Sequence, residues 1–164
     1  MTSQTPSLAS RAPILVLLAT AGVTYALASL ATSIGRAPGV TYHTPLPVLI
    51  IHLATVIPAV PLGAYVLLSR KGDAMHKRLG RLWAAMMLIT AIDSFWVRGM
   101  TGAIGPIHFF SAVTLVSIPL AIYDIRNGNV AAHRRAMTFT YIGLCVAGLY
   151  AMVPGRLVGS FLFG

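Results

Sequence analysis

The sequence has few charged side chains and almost no acidic ones. Of its 164 residues, 3 are Asp or Glu and 12 are Lys or Arg, so 9% are charged and 57% are hydrophobic. The mean hydropathy is +0.81. Because this composition leaves too little polar surface to cover a soluble domain, it indicates an integral membrane protein.

Several familiar chemical motifs are also absent. The chain has 1 cysteine, Cys145, which excludes an internal disulfide and a Cys-x-x-Cys site. It lacks a phosphate-binding glycine loop and the nucleophile elbow of hydrolases. No enzyme class is therefore indicated by a short motif.

Long apolar runs predict five membrane-spanning helices, since a span needs about 20 largely apolar residues. The predicted spans are 13–34, 46–69, 79–98, 105–125 and 136–153. We expect an all-α, polytopic membrane protein with one domain over 13–164, preceded by a disordered cytoplasmic tail at 1–12. The first run could also be a signal peptide cleaved after Ala28, but its apolar stretch continues to Ile34, which favours a retained helix. Aromatic side chains near span ends, expected to lie at the membrane interface, are Tyr42, Trp83, Trp96 and Tyr123.

The distribution of cations predicts the orientation in the membrane. Most flank the connections after the second and fourth spans or precede the first span, which predicts a cytoplasmic N-terminus and an outer C-terminus. We therefore interpret the net charge of +9 as a signal for orientation in the membrane and not as a sign of nucleic-acid binding. We expect anionic lipid headgroups to contact the basic clusters of Lys77, Arg78, Arg81, Arg134 and Arg135.

The second half of the chain resembles the first, with repeat units at approximately 46–100 and 104–156. His52 aligns with His108, Thr55 with Ser111 and, after one inserted residue, His76 with His133. A repeat of two spans keeps its direction across the membrane, so spans two to five are predicted to form a pseudo-two-fold four-helix bundle. Equivalent histidines would then face each other as an outer and an inner pair.

The local chemistry of helix starts favours neutral imidazole at three of these positions. Asp73 and Asn129 are predicted N-caps, which places His76 and His133 in first turns, and Gly105-Pro106 places His108 in another. The positive end of a helix dipole favours the neutral form, which binds metals and haem iron. The predicted cofactor-binding residues are His52, His108, His76 and His133.

Asp93 is expected at nearly the depth of the outer pair, where a carboxylate needs a partner such as Arg98, His52 or His108. Three functional roles are open: orienting a ligand histidine, handling protons, or binding a metal ion together with His52 and His108. A purely structural bond is an equally weighted alternative.

Four motifs resemble those of a bacterial family of predicted membrane proteins with unassigned function, domain of unknown function 2306. The resemblance covers roughly residues 45–164 and implies the fold but no activity. The motifs are His76-Lys77-Arg78-Leu79-Gly80-Arg81, Ile107-His108-Phe109, Ala132-His133-Arg134-Arg135-Ala136-Met137 and Val153-Pro154-Gly155-Arg156.

A looser resemblance is to ascorbate-reducible b-type cytochromes, in which histidines of alternating spans hold two haems. It implies haem b between the histidine pairs and electron transfer from a quinone or membrane donor to the outer side. The chain departs from that pattern because His76 and His133 fall at helix starts. The alternative function is a non-enzymatic transporter or assembly subunit in which the histidines and Asp93 bind a metal or proton, or stabilise packing.

Overall fold

The structure, a computed structural model, describes residues 44–97 and 108–151. These residues form α1 (Leu46–Leu68), α2 (Ala74–Asp93), a 3-10 turn (Ser94–Trp96), α3 (His108–Arg126) and α4 (Val130–Ala151). The predicted all-α fold is confirmed for this part of the chain. The predicted tail at 1–12, the first span and Arg98 lie outside the described residues.

The four described helices pack as two hairpins. Helix α1 packs against α2 and α3 against α4, while α2 also contacts α3 and α4 contacts α1. Each hairpin turns at a glycine with left-handed backbone, Gly72 at φ +82° and Gly128 at φ +79°, a conformation that side chains disfavour. That the hairpins are repeats related by a two-fold axis stays a prediction.

Side-chain caps set where α2 and α4 begin. The Asp73 carboxylate accepts a hydrogen bond from the His76 backbone N–H at 2.7 Å. The side-chain amide oxygen of Asn129 accepts one from the Ala132 backbone N–H at 3.1 Å. Both predicted N-caps are confirmed. The helices therefore start five and six residues before the predicted spans 79–98 and 136–153, and they place His76 and His133 in first turns.

The core is centred on Trp83, which is 3% exposed. Its indole N–H donates to the Ala59 carbonyl at 2.9 Å. Gly63 permits this approach, because a Cβ there would lie 2.5 Å from Trp83 Nε1 and 2.7 Å from Tyr141 Cδ2. The expected interfacial position of Trp83 is wrong, since α2 begins at Ala74 and the indole lies in its third turn, inside the bundle.

The outer surface of the helices is strongly apolar. Among the described helices, α1 and α3 are long and apolar enough to cross a membrane, whereas cations in the first turns of α2 and α4 make those helices more polar. Apolar exteriors of this extent are typical of helices that face lipid. Large apolar side chains with more than half of their surface exposed include Phe109, Val116, Leu120, Phe139 and Leu149.

Candidate functional site

His52 and Asp93 form the one contact of a basic side chain with a carboxylate between described residues, and it is an ion pair when the imidazole is protonated. His52 lies in the second turn of α1 and Asp93 is the last residue of α2. Their Nδ1 and Oδ1 atoms are 2.7 Å apart, with the side chains 21% and 13% exposed. When Nδ1 carries the hydrogen, the imidazole donates to the carboxylate and Nε2 is left with a lone pair. The contact confirms one of the partners considered for Asp93.

The second carboxylate oxygen of Asp93 is less well satisfied. Oδ2 is buried and has no hydrogen-bond partner within residues 44–97 and 108–151. A buried oxygen of an ionised carboxylate is costly when nothing donates to it. Oδ2 is therefore an acceptor position beside His52 that no described donor fills.

A neutral hydrogen bond joins the same two helices one turn deeper. The Thr90 hydroxyl donates to the Thr55 hydroxyl at 2.7 Å, and Thr55 in turn donates to the Ile51 carbonyl at 2.9 Å. Thr90 is 7% exposed. Helices α1 and α2 are therefore connected at their outer ends by one ionisable and one neutral pair.

His108 binds the segment that directly follows α2. It is 5% exposed, its Nε2 lies 3.0 Å from the Ser94 carbonyl oxygen, and its ring contacts Phe95 with 5.8 Å between ring centres. Because a carbonyl only accepts, Nε2 is the donor in this bond. The Ser94 hydroxyl also donates to the Ser111 hydroxyl at 2.7 Å.

The two outer histidines thus contact adjacent residues of one segment, and they do so from two different helices that pack against α2. His52 on α1 binds Asp93, and His108 on α3 binds the Ser94 carbonyl. The described contacts join each histidine to this segment instead of joining them to each other. Within the described ranges, no three His, Cys, Asp or Glu side chains are grouped to hold a metal ion, so a shared metal at His52, His108 and Asp93 stays a prediction.

The inner histidines lie at the opposite end of the bundle. The imidazole Nδ1 of His133 donates to the Ala121 carbonyl at 2.8 Å, which links α4 to α3. His76 precedes the predicted third span; its Nδ1 is buried and has no partner among the described atoms. Burial lowers the pKa of His76, and the nearby charges of Lys71 and His133 lower it further. The inner pair is therefore within electrostatic range.

Several polar contacts of the site were not predicted from the sequence. Thr55 and Ser111 lie at matching places in the repeat, three residues after His52 and His108. This shared spacing could have indicated that their hydroxyl groups belong to the site. Their partners Thr90 and Ser94 carried no such signal. Only the packing of α2 between α1 and α3 brings them together.

A sequence model of a protein family described as "Predicted membrane protein (DUF2306)" matches residues 49–162. No curated protein and no solved structure matches the chain. The matched range includes His52, Asp93, His108 and both inner histidines, and it covers well over half of the sequence.

Proposed function

The chain belongs to the DUF2306 family of predicted membrane proteins, and we propose that it is a non-enzymatic, proton-coupled membrane transporter in which His52 and Asp93 bind and release the proton. The observation that carries this proposal is the 2.7 Å contact between Nδ1 and Oδ1, made by two helices of a chain with 3 acidic residues. Ionisable side chains within membrane helices are costly and by default mark proton or ion pathways.

The composition of the pair favours a proton over a metal ion. One imidazole and one carboxylate share a single hydrogen bond, whereas metal sites use three or more protein ligands in most proteins. The nearest candidate for a third ligand, His108, uses Nε2 to donate to the Ser94 carbonyl. Binding a proton requires no rearrangement of these contacts.

The pair is tested by pH-difference infrared spectroscopy of the full chain in lipid. We expect a carboxylic acid band that grows as the pH falls, that is lost in Asp93→Asn and that shifts in His52→Gln. The matched control is Asp124→Asn, which removes an acid that makes no ion pair with a described residue and should leave intact the part of the band that Asp93→Asn removes. Persistence of the whole band in Asp93→Asn would contradict the proposal.

Haem binding and electron transfer from a quinone remain a second prediction, and the described contacts give them no support. Iron between His52 and His108 would replace the bond from His108 Nε2 to Ser94. A deeper haem would displace Trp83, which fills the space between α1 and α2. An absorption spectrum of protein purified from haem-rich cells tests this function directly.

The proposed topology has five spans in a bacterial inner membrane, with the connection at Lys71 in the cytoplasm and the C-terminus outside. The cation bias supports it, and both hairpin turns that the structure describes lie at the cation-rich end. A reporter inserted near Lys71 should be active in the cytoplasm, and one fused after Gly164 should be active outside. Two reporters active on the same side would contradict the three predicted spans that follow Lys71.

A further inference from the structure

Five exposed cations form two clusters at the inner ends of α2 and α4, two helices that are not neighbours in the bundle, and we call the two clusters together the basic end. It consists of Lys77, Arg78 and Arg81 on α2 and Arg134 and Arg135 on α4. None of these side chains makes an ion pair or side-chain hydrogen bond with another described residue. Their charges are therefore not balanced by the part of the chain that the structure describes.

The polar groups next to the basic end are already engaged. Lys71 donates to the carbonyls of Val66, Leu67 and Ser69 at the end of α1. The Asp73 carboxylate accepts from the His76 backbone N–H. Both side chains are thus held at helix ends, and neither forms an ion pair with the five cations.

His76 lies at the start of α2, beside its cation cluster. Burial lowers the pKa of His76, the charges of Lys71 and His133 lower it further, and the Val66 carbonyl and the Asp73 carboxylate oppose this shift. The Nδ1 atom is buried and has no partner among the described residues. An anion bound to the neighbouring cations would favour the protonated imidazole of His76.

Apolar side chains continue directly from the cations toward the middle of the helices. Leu82 follows Arg78 by one turn and is 42% exposed, and Phe139 follows Arg135 by one turn and is 70% exposed. Residues four apart lie on one face of a helix. Each helix therefore presents a cation and then an apolar side chain, which matches a phosphate followed by an acyl chain.

We propose that each cluster of the basic end binds the phosphate of an acidic phospholipid, whose acyl chains lie along the apolar face of the same helix, beginning at Leu82 on α2 and at Phe139 on α4. The site does not depend on the His52/Asp93 pair, so its failure and that of the proton site are separate results. A soluble nucleic acid or free phosphate would use the cations and leave the adjoining apolar faces without a role.

The test measures lipid binding to the purified full-length protein in neutral detergent by native mass spectrometry. We expect phosphatidylglycerol to bind and phosphatidylcholine to bind much more weakly. Each cation near the phosphate contributes on the order of fivefold, so the double variant Arg134→Gln/Arg135→Gln should weaken phosphatidylglycerol binding by about 30-fold. Lys77→Gln/Arg78→Gln should have a similar effect and provides an independent variant.

The control is Arg70→Gln/Arg126→Gln, which removes the same charge near the same membrane level but on the other two helices, since Arg70 follows the end of α1 and Arg126 is the last residue of α3. It should change binding by less than about twofold, and Asp93→Asn should bind as the unaltered protein does. Equal loss in the control would show a diffuse effect of net charge and overturn the site. If inorganic phosphate alone blocked the binding of phosphatidylglycerol and phosphatidylcholine equally, the assignment to a lipid would be overturned.

The same site predicts that binding depends on pH. A bound phosphate favours protonated His76, so the affinity for the lipid should rise as the pH falls to where His76 takes up a proton, and burial moves the pKa of His76 below its ordinary value. The groups that set this dependence are His76, His133, Lys71 and Asp73. His76→Gln should flatten the profile, and an unchanged profile in that variant would overturn the role of His76.

Discussion

Replacing Trp83 with alanine is expected to lower the free energy of unfolding by about 3 kcal/mol. The indole is 3% exposed, packs with buried side chains of α1 and α2, and donates to the Ala59 carbonyl. The value lies at the low end for a core aromatic residue, because unfolded helices in a micelle remain in apolar surroundings and lose little by transfer. Reversible unfolding in mixed micelles, followed by circular dichroism, measures it.

Trp96 provides the matched control for this experiment. It is the second tryptophan of the chain and is 53% exposed, in the 3-10 turn after α2. Trp96→Ala should therefore change the free energy of unfolding by less than about 0.5 kcal/mol. If both variants lose equal stability, Trp83 is not at the centre of the core.

The position of Trp83 shows how far the sequence could predict the fold. Apolar runs located the helices, and the caps Asp73 and Asn129 were recognised from their chemistry. The runs alone placed the start of α2 near residue 79, because cations in the first turn interrupt the apolar pattern. Counting from that start assigned Trp83 to the membrane interface, whereas the cap at Asp73 places it in the third turn.

Only part of the candidate site could be predicted from the sequence. Depth along antiparallel helices was sufficient to bring Asp93 to the level of His52, and the structure joins them. The repeat suggested that His52 and His108 face each other, but it contained no information about what lies between them. Ser94 occupies that position because the 3-10 turn begins there, and its backbone carbonyl, which binds His108, has no signature in a side-chain pattern.

Replacing either member of the His52/Asp93 pair is expected to destabilise the protein, and the two losses should not add. His52→Ala leaves a largely buried carboxylate without its described partner, so it should cost more than Asp93→Ala, which leaves an imidazole that can be neutral. The double variant should therefore be about as stable as His52→Ala or more stable. We expect a coupling free energy of about 1.5 kcal/mol, near the upper end for hydrogen bonds between membrane helices.

The neighbouring hydrogen bond between Thr90 and Thr55 is a control for the His52/Asp93 pair. Comparing the two coupling free energies distinguishes the effect of an ionisable pair from the effect of its position between α1 and α2. It joins the same two helices at 2.7 Å, as the charged pair does, but neither hydroxyl ionises. A cycle of Thr55→Val and Thr90→Val should give a coupling of about 0.6 kcal/mol that does not change with pH. The coupling of His52 with Asp93 should change with pH, because the strength of their bond depends on where the proton lies. Two cycles with equal, pH-independent couplings would reduce the His52/Asp93 pair to a packing contact and contradict its role in proton binding.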